Sequence, residues 1–198
     1  MARRGPDRAS FARELEPALR GRTREDRKML FVGVLNRHMP EGREAVLVGG
    51  ALVEFYTSGA YVTGDLDIIG DRDAIVPLLE SAGFFKSGRT WWNTDLELVV
   101  DIAGRDLRRT ETVVAVEFEG FTVPTVSLED LIVDRLLAAK YWKSPTDWEQ
   151  AVLLLTAHES RVSVGALKQK AAANDVGDSL RELTKVVGSD GPGTSPTG

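Results

Sequence analysis

From residue 45 to 69 the chain reads Ala45-Val-Leu-Val-Gly-Gly-Ala-Leu-Val-Glu-Phe-Tyr-Thr-Ser-Gly-Ala-Tyr-Val-Thr-Gly-Asp-Leu-Asp-Ile-Ile69. Ala45 to Val48 is a short apolar run closed by Gly49-Gly50, which predicts a buried strand entering a tight turn. Ala51 to Tyr56 continues as a helix that stops near Ser58-Gly59. Asp65-Leu-Asp-Ile-Ile69 alternates polar and apolar residues, the pattern of a strand with one polar face. Strand, glycine turn, helix and acidic strand therefore follow one another within this single stretch.

Outward from it, residues 8–20 and 23–38 read as helices, the second broken at Pro40-Glu41-Gly42. A helix begins at Asp71, carries Ile75, Leu78 and Leu79 as its apolar stripe, and stops at Gly83. Phe84 to Asn93 and Leu96 to Ala103 read as two strands joined near Asn93-Thr94-Asp95. Val113 to Phe118 and Phe121 to Val126 form a hairpin around Glu119-Gly120. From Ser127 the period becomes helical, opened by a capping-box variant that ends in Asp130. Helices are expected near 128–142, 146–158, 163–174 and 176–187. This order predicts an α+β fold, a mixed β-sheet flanked by helices with a C-terminal helical appendage. The expected organisation is a core over 1–126, a helical region over 127–188 and a disordered tail over 189–198.

Composition narrows the chemistry. The chain has 198 residues, 42% hydrophobic and 28% charged, so neither wholesale disorder nor a fibrous chain fits. It contains no cysteine and two histidines, His38 and His158, which excludes thiolate zinc sites, cysteine nucleophiles and histidine-rich metal centres. No apolar run approaches the roughly 20 residues of a membrane helix, and Met1-Ala-Arg-Arg lacks an apolar segment behind it. A cytoplasmic protein with no membrane partner is expected. Residues 1–28 carry a net charge of +4, against −9 for the rest. Arg3, Arg4, Arg8 and Arg13 there form either a solvated helix face or an arm for nucleic-acid phosphates.

On a strand Asp65 and Asp67 project from one face, with Cα atoms roughly 6.5–7 Å apart. Two carboxylates this close repel unless a cation lies between them. A donor set of oxygens alone suits Mg²⁺ or Mn²⁺. Gly49-Gly50 supplies a backbone that phosphate oxygens can approach, beside the amides of a helix N-terminus. Alone, the carboxylate pair is compatible with a solvated strand edge and the glycines with an ordinary turn. Together they converge on a metal-bound nucleotide.

The segments Val-Gly-Gly-Ala-Leu at 48–52 and Thr-Gly-Asp-Leu-Asp-Ile at 63–68 resemble the signature of nucleotidyltransferases of the polymerase-beta-like superfamily. With Glu-Asp-Leu-Ile-Val-Asp-Arg-Leu-Leu-Ala-Ala-Lys at 129–140 and Asp147-Trp-Glu-Gln-Ala, they are most similar to the AbiEii-like and minimal members associated with toxin–antitoxin loci. The resemblance implies a Mg²⁺-dependent transfer of a nucleotide from an NTP to an acceptor, either RNA such as tRNA or a protein. It also implies a cognate antitoxin or toxin partner. Asp65 and Asp67 would then be catalytic metal ligands. A third carboxylate on a later strand would be Asp101, flanked by Val100 and Ile102, or Glu97; four residues apart, the two share a strand face, but about 13 Å of strand separates them, so both cannot serve one cluster. Gly49, Gly50 and Thr63 would contact the nucleotide. Arg135, where the family has lysine, would reach the triphosphate together with Asp147 or form a salt bridge with it. Ala51, Thr146 and Gln150 depart from the family pattern. A catalytically silent binding protein and an antibiotic-type small-molecule nucleotidyltransferase are the alternative readings.

Overall fold

The short apolar runs become the central strands of one seven-stranded mixed sheet in a computed structural model that describes residues 7–189. The N-terminal helices are α1, Arg8–Leu19, and α2, Arg24–His38. They precede β1, Val46–Val48, which runs directly into α3, Gly49–Tyr56. Then come β2, Leu66–Ile69; α4, Arg72–Ser81; β3, Phe85–Ser87; β4, Thr90–Asn93; and β5, Leu98–Gly104. The hairpin β6, Val113–Phe118, and β7, Phe121–Val126, completes the sheet. Its strand order is β3-β4-β5-β2-β1-β7-β6. β2 pairs parallel with β5 and β1 parallel with β7, while the remaining neighbours are antiparallel.

Alternation decides which face meets the core. Leu47, Leu66, Ile68 and Val100 are fully buried, whereas Asp67 lies between two of them on the other face. Burying each such aliphatic side chain is worth about 1.5–3 kcal/mol, enough to fix the register against a one-residue slip. α1 is structural: Phe11, Leu15 and Leu19 are buried, and the Phe11 ring meets Phe31 of α2 edge-on. Its arginines point outward, Arg13 to the Ala9 carbonyl and Arg20 to Glu16. Arg3 and Arg4 of the expected arm lie outside the described residues.

Two expectations are corrected here. Phe84 to Asn93 is a hairpin, β3 and β4 turning at Gly88-Arg89, and not one strand. Ser87 pairs with Thr90, so two residues suffice for the reversal. Glu97 does not share a strand face with Asp101. It has φ 52 in the turn before β5, and its carboxylate binds Arg27 at 2.7 Å.

The chain divides into two compact units, Met1–Ser127 and Leu128–Gly198. The second holds α5, Leu128–Tyr141; α6, Pro145–His158; α7, Val164–Ala173; and α8, Gly177–Ser189. Ser144 and Ser163 cap α6 and α7 by accepting from the amides of Asp147 and Ala166. Asp130, expected to help cap α5, accepts from Lys170 at 2.7 Å. Helix α8 runs through Gly188 to Ser189, past the expected start of the tail, and residues 190–198 lie outside the described residues. No helix among the described residues is long and apolar enough to cross a membrane.

Candidate functional site

The site is built where β1 ends. Gly49 opens α3 with φ 67, a left-handed conformation that strains any side chain. A Cβ there would also sit 2.4 Å from Asp67 Oδ2. Glycine therefore serves both the turn and the space that the Asp67 carboxylate fills. At Gly50 an added Cβ would lie 3.0 Å from Thr63 Oγ1. Gly49→Ala is expected to cost about 1–2 kcal/mol in backbone strain and to push Asp67 aside. Measured by thermal melt, stability should fall by that amount. Any turnover that depends on Asp67 should fall about 100-fold, the size of loss a displacement of about 1 Å can cause.

Asp67 stands in β2 beside Asp101 of β5, the two residues paired in parallel register. Paired residues on adjacent strands point to the same side of a sheet, so both carboxylates occupy one face. Asp65 lies two residues earlier, just before β2, and its Oδ1 accepts from Thr63 Oγ1 at 3.1 Å. Asp65 and Asp67 are partly exposed. Asp101 is only 3% exposed and binds Arg89 Nη2 at 2.6 Å, through an arginine side chain that is itself 82% exposed.

A buried ion pair supports this face from beneath. Lys28 of α2 donates to Glu54 Oε2 of α3, and both are buried. Lys28 Nζ also donates to the Thr63 carbonyl at 2.8 Å, and the Thr63 amide donates to Glu54 Oε2 at 3.2 Å. Lys28, Glu54, Thr63 and Asp65 thus form one chain of contacts from the core to the acidic face. Burial, then repulsion from Glu54 and Asp26, pushes the Glu25 carboxyl above its ordinary range.

The expected residues fall into two groups. Gly49, Gly50, Thr63, Asp65, Asp67 and Asp101 are brought together in the sheet unit. Arg135 and Asp147 meet in the helical unit as the salt bridge, Nη1 to Oδ1 at 2.8 Å, with Gln150 and Asp134 as further acceptors. Lys28 and Glu54 escaped the reading of the sequence. The signal was there: a lysine at the edge of an apolar run and the one acid in the apolar stretch Gly49–Tyr56.

A hard cation is the group expected at these carboxylates. Asp65 and Asp67 carry oxygen donors suited to it, but the expected strand from Asp65 begins at Leu66, so Asp65 lies in the bend before β2 and not on the strand face of Asp67. Asp101, neutralised by Arg89, does not join them as it stands. Among the described residues no three His, Cys, Asp or Glu side chains group so as to hold a metal ion.

No family model matches the chain. No curated protein matches it either. Among solved structures it is similar to an antigenic nucleotidyltransferase-like protein from Paracoccidioides brasiliensis, at 15% identity and a TM-score of 0.48. That likeness covers 73% of this chain and 84% of the other.

Proposed function

We propose that this chain is a metal-dependent nucleotidyltransferase acting within a toxin–antitoxin pair, with RNA such as tRNA or a protein as acceptor. The observation that carries the proposal is the register of Asp67 beside Asp101, with Asp65 two residues away and the Gly49-Gly50 turn adjoining. Asp65 and Asp67 would hold Mg²⁺ or Mn²⁺. When bound, the cation supplies charge neutralisation for the triphosphate and for the leaving pyrophosphate. The amides at the start of α3 would donate to phosphate oxygens; the space a Cβ would take at Gly49 and Gly50 is filled by Asp67 and Thr63. Thr63 holds Asp65 through its hydroxyl and keeps the acidic face in place.

Asp101 takes the proton of the acceptor hydroxyl once Arg89 releases it. The hydroxyl oxygen forms a bond to the α-phosphorus, and the bond from that phosphorus to the bridging oxygen breaks. Its electron pair leaves with pyrophosphate. Positioning and charge stabilisation supply most of the rate, as in phosphoryl transfer generally.

A second reading, a catalytically silent nucleotidyltransferase-like binding protein, is favoured by the Arg89–Asp101 bridge, which occupies the third carboxylate. One experiment separates the two. The protein is incubated with Mg²⁺ and each NTP labelled at the α-phosphorus, together with tRNA and with lysate protein. Label in one macromolecular fraction is the expected result. Label in none, with every NTP, would leave the silent reading.

A further inference from the structure

The sequence presents four tryptophans, and the structure separates them. Trp91 is buried on the core side of β4, whereas Trp92 is 41% exposed on the opposite side. In the β4–β5 ladder Thr90 pairs with Asp101 and Trp92 with Val99, so the Trp92 indole shares a face with the Asp101 carboxylate. Diagonal neighbours of this kind lie about 7–8 Å apart. In the next ladder Trp92 pairs with Phe85 of the edge strand β3, which is 53% exposed and therefore on the same face. Trp92 Nε1 donates to Thr90 Oγ1 at 2.7 Å, which fixes the plane of the ring. Arg89, at the turn of the same hairpin, adds an exposed cation whose guanidinium binds Asp101, while Lys86 is level with Trp91 and belongs to the opposite face.

Exposed aromatic rings are what unpaired nucleic acid stacks on, because every base offers a face to stack, and Arg89 is the cation beside them. Direction along the sheet says which nucleic acid. The glycine turn follows β1, and the strands next to it are β2, β5, β4 and β3 in that order. In an in-line displacement the leaving pyrophosphate and the attacking oxygen lie on opposite sides of the α-phosphorus. With phosphates at the β1 end, the attacking oxygen comes from the β5 and β4 side, past Asp101. A ribose hydroxyl at Asp101 would leave its own base a short step away, over Trp92.

We infer that the β3–β4 hairpin is the acceptor platform, and that the acceptor is the 3′ end of an unpaired nucleic acid strand stacked on Trp92 and Phe85. The polarity of this inference rests on the proposed transfer; the stacking surface does not. It chooses nucleic acid over a protein or a small molecule as the acceptor.

The test is equilibrium binding of a short unpaired RNA carrying a 5′ fluorophore, read by polarisation, beside calorimetric binding of a non-hydrolysable NTP with Mg²⁺. Trp92→Ala is expected to weaken RNA binding about 5- to 150-fold, the range for loss of one stacked base. Trp92→Phe should recover most of that loss, and NTP affinity should stay within about twofold of the unaltered chain. Trp142→Ala, which removes the most exposed indole of the helical unit, should change neither. Folding is checked by melting, since Trp92 bonds only to its own strand among the side-chain contacts described. Undiminished RNA binding by Trp92→Ala would overturn the platform. An equal fall in NTP affinity would overturn the acceptor assignment by making Trp92 a contact of the incoming nucleotide. A chain that binds NTP but no RNA would overturn the platform and leave the proposed transfer standing. RNA binding lost in Trp92→Ala, in a protein that binds no NTP, would uphold the platform and overturn the transfer.

Discussion

Replacing Asp65 and Asp67 together by asparagine is expected to reduce nucleotide transfer by about 10³-fold or more while leaving the fold intact. Asparagine keeps the shape of each side chain, so Gly49 still accommodates residue 67 and Thr63 still donates to residue 65. What disappears is negative charge on the face where a cation would sit. Two like charges two residues apart in the chain also repel each other in the absence of a cation. The melting temperature of the double variant should therefore equal or exceed that of the unaltered chain when no metal is added. A fall of several degrees would mean that these carboxylates are structural. Transfer is measured with the NTP and acceptor found in the labelling experiment, and stability by a thermal melt in chelator.

The second large effect is on stability and lies below the site. Glu54→Gln leaves the Lys28 ammonium buried without its counter-charge, and breaking such a pair costs about 3–5 kcal/mol. Lys28→Met should cost a similar amount by stranding the carboxylate. Replacing both, Lys28→Met with Glu54→Leu, removes the buried charges but also strips the Thr63 amide and carbonyl of their partners. Each unsatisfied buried polar group costs about 1–3 kcal/mol, so the double variant should recover only part of the stability. Urea unfolding of the three variants measures this. Full recovery in the double variant would show that Thr63 finds other partners and that the pair does not hold it.

Most of the sheet was legible because its signals are local. Val46–Val48 is apolar and ends in two glycines, and Asp67 stands between the apolar Leu66 and Ile68, so both strands and the helix between them follow from period and turn chemistry, though the second strand starts one residue after Asp65. The split of 84–93 was missed because aromatic and β-forming residues run through it, and that length outweighed the Ser87-Gly88 turn signal. Glu97 and Asp101 were placed on one face by counting residues, which assumes that the strand begins before both. The backbone turns at Glu97, and the strand starts at Leu98. Pairing between strands is the part a sequence does not carry. That Asp101 lies level with Asp67 depends on the β2–β5 register, set by the packing of Leu66, Ile68, Val100 and Ile102. The Lys28–Glu54 pair and the Arg89–Asp101 bridge likewise join residues far apart in the chain, and no spacing rule reaches them.

Whether the acidic face is a cation and triphosphate site is read most directly by where a paramagnetic cation lands. Mn²⁺ is titrated into ¹⁵N-labelled protein beside a non-hydrolysable NTP, and amide resonances are followed as they broaden. The amides of Gly49, Gly50, Asp65, Asp67 and Asp101 should broaden first and together, and the double asparagine variant should abolish that pattern at the same Mn²⁺ concentration. Broadening that begins elsewhere, such as around Glu14 and His38, or that survives the loss of both carboxylates, would contradict the account.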